Sequence, residues 1–141
     1  MRTPIAPAVA IAILALTATP LSGQSSSDHV YWVGFFQALP GKAAAYNRAL
    51  TEIAAPVLDE LVKRKQMVSH VQLAQSTGGG EYTNLIILEF PGQPALDSYE
   101  SRLNDASQAV LHKPWSEATA GFAELRRLVR IEFYAAAAAR Q

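Results

Sequence analysis

The sequence predicts an α+β domain ordered strand, helix, strand, strand, helix, strand, with a second copy of the chain against one face of its four-stranded antiparallel sheet. Three observations carry this reading. Four segments have strand-like apolar patterns, and two amphipathic helical segments separate them in that order. The strands carry apolar side chains on both faces, whereas two helices cover only one, so a second chain is the simplest cover for the other. The 141 residues suit one domain and leave no room for two ordinary ones.

The chain opens with one positive charge in Met1-Arg2-Thr3-Pro4. Fourteen uncharged, apolar residues follow from Ile5 to Ala18, and then small and polar ones through Gly23. This is the order of a secretory signal peptide, and residues 1–23 are expected to be removed, after Gly23 or alternatively near Ala18. The apolar run falls short of the ~20 residues that span a bilayer, so no stable membrane insertion is expected. The expected location is periplasmic or secreted. Loss of the leader removes Arg2 alone from twelve basic residues, leaving eleven against twelve acidic ones. That balance gives no electrostatic footprint for nucleic acid. Lys63-Arg64-Lys65, the only basic run, reads as a solvated helix end that complements the helix dipole. With no cysteine in the chain, a disulfide framework, thiolate metal sites, a Cys nucleophile and a lipidated cysteine are all excluded.

Residues 24–29 form a Ser-rich, flexible lead-in, and residues 30–134 the domain. Val30 to Ala38 reads as the first strand, with Val30, Trp32, Phe36 and Ala38 on one face and Tyr31, Val33 and Phe35 on the other. Gly34 at its centre signals a close approach or a bulge. A helix from Lys42 to Lys65 presents Tyr46, Leu50, Ile53, Val57 and Leu61 as one stripe. Pro56 inside it is expected to kink the helix near Glu52. Met67 to Gln75 and Tyr82 to Phe90 are the second and third strands, joined by a Gly-rich loop over residues 77–81. Leu85-Ile86-Ile87-Leu88 is apolar without alternation, as a central strand covered on both faces should be.

Pro94 opens a second helix with Leu96, Tyr99 and Leu103 inward, and Asn104-Asp105 is expected to interrupt it. Pro114 starts a further helical stretch to about Arg127. Leu128 to Tyr134 is the fourth strand, with Val129, Ile131 and Phe133 on one face and Arg130, Glu132 and Tyr134 on the other. Residues 135–141 are an Ala-rich tail. The βαββαβ order makes the halves topologically alike, which is the ferredoxin-like arrangement.

Two stretches resemble a known superfamily. Phe36-Gln37-Ala38-Leu39-Pro40-Gly41-Lys42 leading into a helix is similar to the strand-to-helix passage of dimeric α/β-barrel proteins. So is Glu81-Tyr82-Thr83-Asn84 opening a strand that closes with Glu89-Phe90-Pro91. The resemblance covers Val30 to Tyr134 and extends to the antibiotic-biosynthesis-monooxygenase and stress-responsive barrel types. It implies a homodimer joined through its sheets and a pocket between sheet and helices, often without a metal. Enzymes of that superfamily line the pocket with Asn, Trp and His, and this chain offers Asn84, Trp115, His70 and His112 without a position-by-position match.

The residues themselves support two principal functional readings. One is an exported barrel protein that binds a small apolar or aromatic molecule, without cofactor or metal. The other is a cofactor-independent monooxygenase or haem-related enzyme, with His70 or His112 as base. A structural partner domain of the cell envelope is a third. The candidate ligand site consists of Tyr46, His70, His112 and Trp115, aromatic walls around one or two polar groups. Against it stand plainer roles: Trp115 as core filler, His112 as the cap of a helix end, His70 as a core, interface or edge histidine. Arg130 and Glu132, two apart, share a strand face and are either a buried pair or solvated. Asp59 and Glu60 diverge on their helix, which makes them poor acid–base partners. H-E-x-x-H, G-x-S-x-G, Walker and G-x-G-x-x-G motifs are all missing from the sequence.

Overall fold

A computed structural model describes residues 28–137. The expected leader, most of the lead-in and the end of the tail lie outside the described residues. The elements are β1 (Val30–Ala38), α1 (Ala43–Ala49), a π-helical segment (Leu50–Ala54), α2 (Ala55–Lys63), β2 (Ser69–Ala74) and β3 (Asn84–Phe90). Then follow α3 (Gln93–Asp97), α4 (Tyr99–Leu111), α5 (Trp115–Ala118), a 3₁₀ turn (Ala120–Glu124) and β4 (Arg126–Ala135). The four strands form one antiparallel sheet in the order β2-β3-β1-β4, the ferredoxin-like topology.

β1 and β3 hold the centre. Phe36 and Ala38 from β1 and Ile86, Leu88 and Phe90 from β3 turn one way and are buried against Leu50, Val57, Leu58 and Leu61. Strict alternation on β3 buries Asn84, Ile86, Leu88 and Phe90 and leaves Leu85, Ile87 and Glu89 half-buried. The apolar run of β3 therefore serves two unequal faces. Asn84 is the buried polar member. Its amide donates to Asn47 Oδ1 of α1 at 2.8 Å, and its carbonyl accepts from Thr83 Oγ1 at 2.7 Å.

The irregularity expected at Pro56 takes the form of the π-helical segment just before it, and Pro56 itself enters the first turn of α2, where a missing N–H is tolerated. Nor do Asn104 and Asp105 interrupt α4; the break lies earlier, at Ser98, between α3 and α4. The last helical stretch ends at Glu124, so Arg126 and Arg127 belong to β4. Opposite Phe35 and Phe36 the register of β4 slips by one residue, a β-bulge that leaves Val129 without a partner on β1. Ile131 and Phe133 share the helix-facing side. Beyond the bulge, Leu128 and Arg126 take over that face.

Among the described residues, no helix covers the opposite face of the sheet. That face presents Tyr31, Val33 and Phe35, Ser69, Val71 and Leu73, and Leu85 and Ile87. β4 adds Arg130, Glu132 and Tyr134. Arg130 donates to Glu132 at 2.6 Å and to Glu81 at 3.0 Å, and its guanidinium lies 3.9 Å from the centre of the Phe35 ring. At the other end Glu89 accepts from Ser69 at 2.6 Å and Tyr31 at 3.0 Å, and pairs with His29 at 2.8 Å. Burial pushes the Glu89 carboxyl up, but the three hydrogen bonds outweigh it and hold its pKa below the ordinary 4.5.

Two outcomes follow from this packing. A carboxyl whose pKa is depressed by folding contributes stability above its unfolded value, and that stability is lost as pH falls through the folded one. Urea midpoints should therefore drop between about pH 5 and pH 3 in the wild type and drop less in Glu89→Gln. Equal slopes would show that the cluster contributes nothing. Gly34 is the second case. A Cβ built there falls 2.4 Å from the Trp32 ring and 2.6 Å from the Phe36 ring. Gly34→Ala should overpack this face and lower stability by about 1–3 kcal/mol, read from chemical denaturation.

Candidate functional site

A cleft of about 780 Å³ lies between the helix-facing side of the sheet and α4. Trp32 and Phe36 of β1 and Ile86 and Leu88 of β3 form its floor, continued by Leu128 and Ile131 of β4. The π-helical segment contributes Leu50 and Ala54. α4 contributes Tyr99, Glu100, Leu103 and Asn104, and Trp115 and Phe122 close the far wall. α4 packs Leu103 and Ala106 toward α2, not down onto β4, and this leaves the space. On the β4 side the cleft is open and greasy: Leu128 keeps 51% of its surface exposed and Phe133 63%. A second hollow of about 590 Å³ shares Trp32, Tyr99 and Glu100 and runs on to Phe133 and Tyr134.

Arg126 is the cation of the cleft. As the first residue of β4, opposite Ala38, it points to the helix side, and its guanidinium lies 3.8 Å from the centre of the Phe36 ring. The rings of Phe122 and Tyr46 stand 5.2 and 5.4 Å away. These rings also pack on one another: Phe36 meets Tyr46 at 6.4 Å, and Tyr46 meets Phe122 edge-on at 6.1 Å. Burial lowers the Arg126 pKa from its ordinary value, although the guanidinium remains charged at any working pH. Arg126 Nη1 and the Tyr46 hydroxyl are both buried without a hydrogen-bond partner. Burial pushes the Tyr46 phenol up to about 12, against the opposing pull of Arg126. Burial likewise raises the Tyr99 phenol. Neither hydroxyl is a base near neutral pH.

The four residues singled out from the sequence do not converge. Trp115 lines the cleft, and its backbone N–H donates to Asn104 Oδ1 at 3.2 Å, tying α5 to α4. Tyr46 is fully buried one layer beneath the wall, behind Phe36 and Phe122. His70 faces the helices from the outer strand β2, away from the cleft, and bonds Asp59 of α2 at 2.8 Å. His112 is exposed in the left-handed conformation that ends α4, where its N–H caps the Gln108 carbonyl. Asn84 bridges to α1 and is outside the lining. Arg126 was missed because the helical reading of residues 114–127 placed it on a helix end. No sequence signal singles it out, because it reaches the helix side only through the bulge at Val129.

Among the described residues, no group of three or more His, Asp or Glu side chains is placed to hold a metal ion. No helix among them is long and apolar enough to cross a membrane.

No protein-family model and no curated protein matches the chain. Solved structures share its fold. A dimeric protein of unknown function and ferredoxin-like fold from Bacteroides fragilis aligns with a TM-score of 0.53 at 9% identity, over 77% of this chain and 97% of its own. A protein of unknown function from Bacteroides thetaiotaomicron, described as a possible oxidoreductase, gives 0.52 at 13% identity, over 78% and 99%. A third, from the same species and provisionally named an antibiotic biosynthesis monooxygenase, gives 0.50 at 13%, over 82% and 94%. The chain thus has the ferredoxin-like fold that these proteins share.

Proposed function

We propose that this protein is an exported homodimer that binds a small, largely apolar aromatic molecule in the cleft between sheet and α4. The observation that carries the proposal is the cleft itself: about 780 Å³, floored by Trp32 and Phe36 and walled by Trp115 and Phe122. That volume lies in the range of small-molecule sites, and aromatic walls with few polar groups suit a planar ligand. The homodimer is supported by the apolar members of the helix-free face, where Val71 and Leu73 stay 43% and 48% exposed. The Bacteroides fragilis protein of the same fold is itself described as dimeric. Export rests on the sequence pattern of residues 1–23.

A second reading, cofactor-independent oxygenation, draws on the fold likeness to the provisionally named monooxygenase. With both candidate histidines away from the cleft, Glu100 is the carboxylate at its lining among the described residues. Oxygen uptake on addition of 1-naphthol, measured with an electrode, would favour this reading; a flat trace leaves the binding role.

The binding role is tested with N-phenyl-1-naphthylamine, a neutral aromatic probe that brightens in apolar surroundings. Saturable binding is expected, and Ala123→Trp, which adds an indole at an exposed position of the lining, should weaken it at least tenfold. An unchanged affinity would place the probe elsewhere. Protein recovered from a periplasmic or secreted fraction should lack Met1 by mass spectrometry and scatter light as a dimer at micromolar concentration. An intact Met1 in the cytoplasmic fraction overturns export, and a monomer mass overturns the dimer.

A further inference from the structure

The aromatic cage around Arg126 is better built for a ligand than for the guanidinium alone. Arg126 sits at the start of β4 with its side chain in the cleft lining, between Phe36, Phe122 and Tyr46. Ring faces satisfy a guanidinium above and below its plane. Its five N–H donors lie in the plane and need acceptors at its edge. Among the described residues no carboxylate pairs with Arg126, and Nη1 has no acceptor although it is buried. The Tyr46 hydroxyl, buried behind Phe36 and Phe122, faces Arg126 itself and interacts with it. A buried, charged donor without an anionic partner is costly, and this leaves the Arg126 guanidinium with room for an acceptor from the cleft.

The remaining chemistry of the cleft fixes what that acceptor is. The rest of its lining is apolar and aromatic apart from the uncharged polar residues Asn104, Ser116 and Thr119, and its one carboxylate, Glu100, projects from an exposed position on α4, where it would repel an anion placed beside it. The apolar and ionic ends of a ligand would therefore be held apart, with its body over Trp32 and its charge toward Phe36 and Arg126. We infer that the cleft selects planar aromatic molecules carrying one anionic oxygen group, a carboxylate, a sulfonate or an ionised phenol, received by Arg126, with the buried Tyr46 hydroxyl behind it as a positioning group. The fork of a guanidinium suits such oxygens, and charge-assisted hydrogen bonds in a dry site are about twice as strong as neutral ones. This inference rests on the proposed binding role and narrows it to a charge class.

The test compares two probes of similar shape: neutral N-phenyl-1-naphthylamine and anionic 8-anilino-1-naphthalenesulfonate, titrated by fluorescence into the wild-type protein and three variants. The wild type should bind the sulfonate at least tenfold more tightly. Arg126→Gln should abolish that preference, with an unchanged circular dichroism spectrum reporting an intact fold. Arg126→Lys keeps the charge without the fork and should retain part of the preference. Tyr46→Phe should cut the preference about threefold. Equal affinity for both probes in the wild type, or a preference that survives Arg126→Gln, overturns the anion site and leaves the aromatic cleft standing. If Arg126→Gln does not fold, an undiminished preference in both Arg126→Lys and Tyr46→Phe overturns it equally. Failure of both probes to bind the wild type removes the cleft's binding role, and the anion site with it.

Discussion

The constraint on which this protomer depends is the central pairing of β1 with β3. Their helix-facing residues, Phe36, Ala38, Ile86, Leu88 and Phe90, are the platform on which α1, the π-helical segment and α2 settle. Each large apolar side chain buried there contributes roughly 1.5–3 kcal/mol. Once α2 is seated, α4 gains more by packing Leu103 and Ala106 against that helix side than by lying flat over β4. The sheet has four strands, but the tight core lies on β1 and β3. What remains over β1 and β4 is the cleft. It is a consequence of where the best packing lies, bounded by side chains that belong to the core on one side and to water on the other.

Arg126 shows the same balance in electrostatic form. Desolvating a cation is expensive, and contact with aromatic faces recovers part of that cost without reaching the in-plane donors. The protein surrounds the guanidinium with Phe36, Phe122 and Tyr46 and supplies no anion. Arg130, at the other face, is the contrast. It also lies over an aromatic ring, Phe35, but Glu132 and Glu81 accept from it in the open. One arginine is paired and half-solvated; the other is enclosed and unpaired.

Much of the fold was legible because the strongest signals were local. The bounds of β1 follow from alternating large apolar residues between a Ser-rich lead-in and Leu39-Pro40-Gly41, and the structure places them at Val30 and Ala38, as read. The unbroken apolar run of β3 announced a central strand. Pro56 announced an irregularity, but no sequence rule distinguishes a kink from a π-helical segment that absorbs the same missing hydrogen bond. Asn104 and Asp105 could cap a helix, yet both sit on the exposed side of α4, where they cost the helix little. The site was less legible than the fold. Histidines attract attention as titratable groups, but His70 found a carboxylate eleven residues away, across the turn from α2 to β2, and His112 a backbone role at a helix end. Neither outcome is encoded in spacing.

The bulge in β4 is where the hidden information lies. Alternation carried back from Phe133 and Ile131 puts Val129 and then Arg127 on the helix side. The structure breaks that count: Gly34 faces Ile131 and Phe35 faces Arg130, but Phe36 faces Leu128, so Val129 is passed over. A one-residue slip exchanges the two faces of everything beyond it. Upstream of the bulge, Leu128 and Arg126 enter the cleft, and Arg127 turns to the opposite face. Without the slip the cleft would hold Val129 and Arg127, and Ala38 would lie opposite Arg127. The adjacent arginines are chemically identical, and the sequence offers no ground for choosing between them. A single unpaired backbone residue therefore decides which arginine meets Phe36, Tyr46 and Phe122, and which of Leu128 and Val129 lines the cleft beside it.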